Sequence, residues 1–162
     1  MSNHVGPLNP EAEWERAARG GIDGQRFPWG NTISWVRANY YATPSFVLGA
    51  GVTYDVNPTE GYNPTLNDGV TPYTSPGGTF APNAYGLNDM AGNVWQWCWD
   101  WYGDYTSAAQ TDPHGPTSGT QHVYRGGGWN SQATFCRVAV RYSNPPESVA
   151  NSVGFRCVSV GQ

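Results

Sequence analysis

Residues 83–102 read NAYGLNDMAGNVWQWCWDWY. Trp95, Trp97, Trp99 and Trp101 fall on every second residue. Side chains alternate faces along a strand, so this spacing predicts one strand with all four indoles on one face. Gln96, Cys98 and Asp100 take the other. Each buried aromatic removes roughly 150–250 Å² from water, so the Trp side is the expected core face. It is expected to pack on the glycine-rich run Gly126–Trp129 and on the face of a helix carrying Trp14. The stretch before it, Tyr85 to Gly92, has the Gly, Asn and Asp of a tight turn feeding a strand.

The chain has 162 residues and a net charge of −4, from 8 basic and 12 acidic side chains. That length suits one domain with a real core. No Lys or Arg run occurs, which argues against a nucleic-acid groove. No apolar run is long enough to span a membrane, and the first residues carry no signal-peptide pattern. With 21 glycines, 13 prolines and 14% aromatics, the reading is of long loops that are packed rather than disordered. Cys98, Cys136 and Cys157 permit one disulfide or none.

Along the chain, residues 1–7, with His4, read as a disordered tail and 8–162 as a single domain. Asn9-Pro10-Glu11 reads as a helix start, with Asn9 as N-cap. Trp14, Ala17 and Ala18 form a buried stripe, and Gly20-Gly21 stops the helix. Phe27–Asn31 is a turn, and Ala38–Tyr41 a short strand or pinned extended piece. Residues 43–82 form a loop long enough to need fixing by aromatic packing or a metal. Further strands are expected over His122–Trp129, Cys136–Tyr142 and Val153–Val160. The class is α+β with little helix. His114 and His122 lack the spaced partners of a zinc site or a catalytic triad, and Glu147 reads as a solvated turn residue.

The segments LNPEAEWERAARGG, FPWGN, YGLNDMAGNVWQWCWDWY, YRGGGWN and SVGFRCV, in this order, resemble the formylglycine-generating enzyme (sulfatase-modifying factor) domain family. The resemblance implies a C-type-lectin-like fold: a small twisted antiparallel sheet, few helices and much ordered loop. It also implies an upstream part that this chain lacks. The oxidases of the family carry a Ser after the glycines and two Cys five residues apart, which hold copper. Here Gly128 stands at the Ser position and Ser131 at the first Cys, and only Cys136 matches. One thiolate cannot make the two-sulfur chelate, so the expectation is no copper and no enzyme activity. For calcium the resemblance implies two sets of oxygen donors. One is Asn39, Tyr40, Asp68 and Val70; the other is Asp89, Gly92, Val94 and Gln96, with Gln96 in place of a Glu.

The segment 126–155 is similar to the variable region of diversity-generating retroelement proteins. That likeness implies a binding surface made of Asn130, Ser131, Thr134, Phe135, Val140, Tyr142, Ser143, Asn144, Asn151 and Ser152. The frame residues Arg137, Ala139, Arg141, Gly154 and Phe155 should then be buried or hydrogen-bonded. The function so implied is a non-catalytic display domain for a protein or cell-surface ligand, soluble or carried on a cell or virus surface. The alternatives are an oxidase acting on a protein cysteine and an inert structural domain of a larger protein.

Overall fold

A computed structural model describes residues 10–44 and 52–158. The expected 1–7 tail, Asn9 as N-cap and the end of the last expected strand lie outside them. Helix α1 spans Glu11–Arg19, followed by strands β1 (Trp95–Trp101), β2 (His122–Arg125), β3 (Arg141–Asn144) and β4 (Val153–Phe155), with a 3-10 turn at Ala133–Cys136. The four strands form one sheet in the order β3-β2-β1-β4. β2 is antiparallel to both β1 and β3, whereas β4 runs parallel to β1. The sheet is therefore mixed, where an all-antiparallel one was expected. β3 and β4 share a direction because the chain crosses from one sheet edge to the other between them, and a parallel neighbour requires such a crossover.

The helix ends follow from local chemistry. Gly20 caps α1 in the left-handed conformation at φ 59°, its N–H bonded to Ala17 O. At the other end Pro10 is the N-cap and offers no side-chain acceptor. Asp100 of β1 supplies one, its Oδ2 accepting the Glu11 N–H at 2.7 Å. The helix is thus capped by the sheet it packs on.

That packing overturns the expected orientation of β1. Cys98 is wholly buried, with Gln96 and Asp100 beside it also buried, whereas Trp99 is 60% exposed and Trp97 and Trp101 only half-buried. Trp14 explains the inversion. Its side chain is fully buried with Ala18, Met90, Cys98, Val123 and Val138, and its Nε1 donates to Gln96 Oε1 at 2.9 Å. A helix that brings its own indole needs a shallow floor, and Gln, Cys and Asp provide one that a row of tryptophans cannot. Of the four β1 indoles only Trp95 is buried, edge-on to Tyr124 at 4.7 Å.

Strands β2 and β3 also depart from expectation. Strand β2 ends at Arg125, because Gly126 and Gly127 take φ of 94° and 76°. A side-chain carbon on Gly127 would lie 2.6 Å from Cys136 Sγ, so the glycine run lets the chain turn directly against the second core cluster. That cluster holds Phe27, Ile33, Tyr40 and Cys136. The strand expected over Cys136–Tyr142 is instead the 3-10 turn followed by β3. Within 43–82, Tyr62 and Tyr73 close on Trp129 at 5.5 and 5.2 Å, so among the described residues aromatic packing fixes that loop.

Trp14→Ala is expected to cost about 3–5 kcal/mol in chemical unfolding, as for a buried aromatic. Trp99→Ala should stay within about 0.5 kcal/mol. Equal losses at the two positions would contradict the orientation of β1 described here.

Candidate functional site

Strand alternation carries the outward face across the sheet. Trp97 pairs with Tyr124, Tyr124 with Tyr142, and on the other side Trp97 pairs with Phe155. Phe135, on the 3-10 turn, stands edge-on to Tyr142 at 5.6 Å, and Tyr142 lies 5.6 Å from Trp95. Burial pushes the Tyr124 phenol up, with Tyr142 adding to the shift. The result is a continuous aromatic surface on the side of the sheet away from α1.

The ten expected surface residues divide. Asn130, Tyr142 and Asn151 are exposed; Thr134, Phe135, Val140 and Asn144 are half-buried. Phe135, Tyr142 and Asn144 border the aromatic surface, the last through a 3.4 Å bond from its Nδ2 to Tyr124 OH. Asn130 and Asn151 flank Trp129, whose Nε1 donates to Asn151 O. Thr134 Oγ1 lies 3.0 Å from Tyr54 OH, at the far side of the turn.

Ser131 and Ser152 are buried, contrary to expectation. Ser131 Oγ accepts the Gly128 N–H at 3.0 Å and closes the glycine turn, while Ser152 O accepts the Trp95 N–H. Ser143 alternates onto the helix side, its Oγ donating to Gln121 Oε1. Among the frame residues Arg141 and Arg137 are bonded, the first to Gly103 O and Glu11, the second to Thr134 O. Gly154 is half-buried against Val94. Ala139 and Phe155 are exposed, Phe155 by 68%. Its strand is a sheet edge, and alternation turns the ring to the outward face.

Cys136 is fully buried, and Cys98, Cys136 and Cys157 are all free thiols. Burial, with Asp55 adding, pushes the Cys136 thiol well above its ordinary 9.0, so it stays protonated. The Cys98 thiol is raised by burial as well. With Ser131 Oγ engaged by Gly128, the 128–136 turn presents one buried neutral thiol and a committed hydroxyl.

Several of the implied calcium donors are bonded within the protein. Asp89 Oδ1 is buried with no partner, which suits a cation. Gln96 does not fit: its Nε2 donates to Asp89 O, and its Oε1 accepts from Trp14 and, at 3.1 Å, from the Arg156 guanidinium. In the other set, Asp68 is exposed and its Oδ1 accepts from its own Val70 N–H. Buried Asn39 gives its Nδ2 to Tyr73 O and Asn93 Oδ1, and Tyr40 O accepts the Trp35 Nε1–H. Gln96 is thus engaged within the protein through both its amide atoms. No group of three or more His, Cys, Asp or Glu gathers among the described residues.

A cavity of about 780 Å³ beside α1 is lined by Glu11, Glu15, Arg19, Asp100 and Arg141 among others. Part of its charge is paired within the protein. Arg19 and Arg125 meet Glu15, and Arg141 meets Glu11 at 2.6 Å. No helix of the described residues is long and apolar enough to cross a membrane.

Comparison with known proteins adds three relatives and a family. The family described as Sulfatase-modifying factor enzyme 1-like domain matches residues 3–160. The formylglycine-generating enzyme of Thermomonospora curvata is 41% identical over 160 residues, which are 94% of this chain and 48% of that protein. The inactive C-alpha-formylglycine-generating enzyme 2 of Bos taurus is 35% identical over 158 residues, 94% of this chain and 43% of that protein. Treponema denticola variable protein 1 superposes with a TM-score of 0.66 at 32% identity, covering 91% of this chain and 45% of that one. The chain thus spans about half the length of these relatives.

Tyr40 behaves like the two buried thiols, since burial and the adjacent Asp55 raise its phenol. Folded, all three groups keep protons that the unfolded chain releases from about pH 9 upward, so the fold binds more protons there and loses stability as pH rises. Denaturation between pH 8 and 11 should show a midpoint that is flat below about pH 9 and falls above it. In native protein, iodoacetamide should modify Cys157 and spare Cys98 and Cys136, as read by mass spectrometry. Rapid native modification of Cys136 would contradict its burial.

Proposed function

The chain belongs to the sulfatase-modifying factor enzyme 1-like domain family, and from that premise we propose that it is a non-catalytic ligand-binding domain displaying its C-terminal surface. The observation that carries the reading is the outward aromatic surface around Tyr142, to which the segment 126–155 contributes Phe135, Tyr142, Asn144 and Phe155. Tyr and Phe give rigid contact area at low entropic cost, the chemistry of a paratope. The frame beneath is held separately, by the glycine turn and by Arg141 bonded to Glu11 and Gly103. Side chains above it can therefore change without breaking those bonds. The likeness to a variable protein and to an inactive relative supports this reading. In its finer form, the exposed positions of 126–155 are diversified by a retroelement and meet a protein or cell-surface partner.

The second reading is a copper-dependent oxidase, and the enzyme of Thermomonospora curvata favours it. Gly128 and Ser131 count against it, because a soft copper site needs two thiolates and the turn carries Cys136 alone.

A library randomised at Asn130, Phe135, Tyr142, Asn144 and Asn151 should yield mostly folded protein, with thermal midpoints close to the parent. One randomised at Arg137, Arg141 and Gly154 should not. Mostly unfolded members in the first library would defeat the display reading. Incubation with Cu(I) and a cysteine-containing peptide should leave the thiol unchanged, and turnover abolished by Cys136→Ala would establish the oxidase instead.

A further inference from the structure

The cavity of about 780 Å³ lies on the α1 side of the sheet, opposite the aromatic surface. Its volume is within the roughly 300–1,000 Å³ of a small-molecule pocket. None of the ten display positions lines it. Its walls are pinned. The loop after β1 is held at three points: Gly103 O accepts from Arg141, Tyr105 OH donates to Glu11, and the Gly115 N–H donates to Asp100 Oδ1 at 2.7 Å. The opposite wall is held by Asn83 Nδ2 donating to Ala17 O and by Arg19 donating to Gln25 O. Walls fixed in this way lose little freedom when a ligand enters.

Charge decides the class of ligand. The lining carries five carboxylates, from Glu11, Glu15, Asp23, Asp100 and Asp104, against three guanidinium groups, from Arg16, Arg19 and Arg141. Arg125, behind Glu11 and Glu15, is a fourth and brings the net charge to −1. Glu11, Glu15, Arg19 and Arg141 are committed in pairs, and Asp100 accepts from the backbone of Glu11 and Gly115. Arg16, Asp23 and Asp104 are exposed and have no ion-pair partner among the described residues. An anion would therefore meet Asp23 and Asp104, and a cation would meet Arg16; like charges brought together oppose binding. A neutral ligand meets neither penalty.

What remains open in the lining is a mixture of donors and acceptors. Arg16 only donates, Asp23 and Asp104 only accept, and Gln110 does both. A hydroxyl is donor and acceptor at once, so a polyhydroxylated ligand can answer all of them. Two tyrosine rings complete the set. Tyr85 is 53% exposed and Tyr105 71%, and Tyr105 already carries the Arg141 guanidinium 4.3 Å from its centre. The negative face of an aromatic ring attracts the C–H groups on the apolar side of a sugar ring. We propose that this cavity binds a neutral oligosaccharide. Sugar rings stack on Tyr85 and Tyr105, and their hydroxyls bond to Arg16, Asp23 and Asp104. It does not rest on the display reading, since the display positions lie outside the cavity.

The test titrates the whole isotope-labelled chain with maltotriose, cellotriose, mannotriose and triacetylchitotriose, all uncharged. At least one should shift the Gln110 side-chain amide and the Arg16 Nε–H resonances saturably and leave the Trp97 indole N–H in place. Tyr85→Ala and Asp104→Ala, at exposed positions, should each weaken that ligand at least about tenfold with the fold intact. Val149→Ala, exposed and outside the cavity, should leave its affinity within about twofold. Because the ligand is uncharged, its affinity should be the same in about 0.05 M and about 0.5 M salt. An unstable display library would defeat the display reading and leave trisaccharide binding untouched. No saturable shift with any of these sugars at about 10 mM would overturn the proposal. So would an affinity that falls steeply with salt, or unchanged affinity in both Tyr85→Ala and Asp104→Ala. The same resonances answering only to a charged probe, spermidine or inorganic phosphate, would overturn it as well.

Discussion

The docking of Trp14 on Cys98 is the contact from which the rest of the structure follows. One helix can cover one face of a four-stranded sheet, and the face it takes must leave room for an indole. Cys98 is small enough, Gln96 accepts the indole N–H, and Asp100 caps the helix it faces. Arg125, wholly buried at the same level, reaches Glu11 and Glu15 of the helix and lies over the Trp14 ring. Two of its nitrogens make no hydrogen bond within the protein. A buried ion cluster of this kind adds little net stability over an apolar contact, but removing one partner is costly. It fixes where the helix sits, and so which face of the sheet is left outward.

Much of this was legible in the sequence. The four Trp at every second residue gave the strand, Gly20 gave the helix end, and the glycines after Arg125 gave a close approach. The co-linear motifs named the family that the comparison then matched over residues 3–160. What the spacing could not supply was the sign of the alternation. Period two says that Trp97 and Cys98 point opposite ways, but the bulk of the helix side chain across from them decides which is inside. The usual rule that aromatics go inward failed here because a rival aromatic, Trp14, held the inside place.

The site was legible in part for a related reason. Exposure of Tyr142 and Asn151 agrees with a surface segment, yet Ser131 and Ser152 serve the backbone: one caps the glycine turn and the other accepts from Trp95. A short hydroxyl reads the same in sequence whether it faces a ligand or closes a turn. The register shift between Trp97 and Trp101 left no mark in the sequence, because it depends on where β2 pairs. The aromatic surface and the buried thiol at Cys136 both descend from the same arrangement. Covering one sheet face with α1 leaves the indoles of β1 for the other, while the glycine turn packs against Cys136 and shuts it from water.

Hydrogen exchange of the indole N–H groups, followed by NMR on uniformly labelled protein, tests that arrangement most directly. The account predicts that Trp97, Trp99 and Trp101 exchange rapidly in native protein, because their N–H groups have no protein partner and are not buried among the described residues. Trp14 and Trp129, bonded to Gln96 Oε1 and Asn151 O, should be protected. Protection of Trp97 and Trp99 equal to that of Trp14 would mean that the tryptophan face of β1 is the interior one, and it would contradict the account.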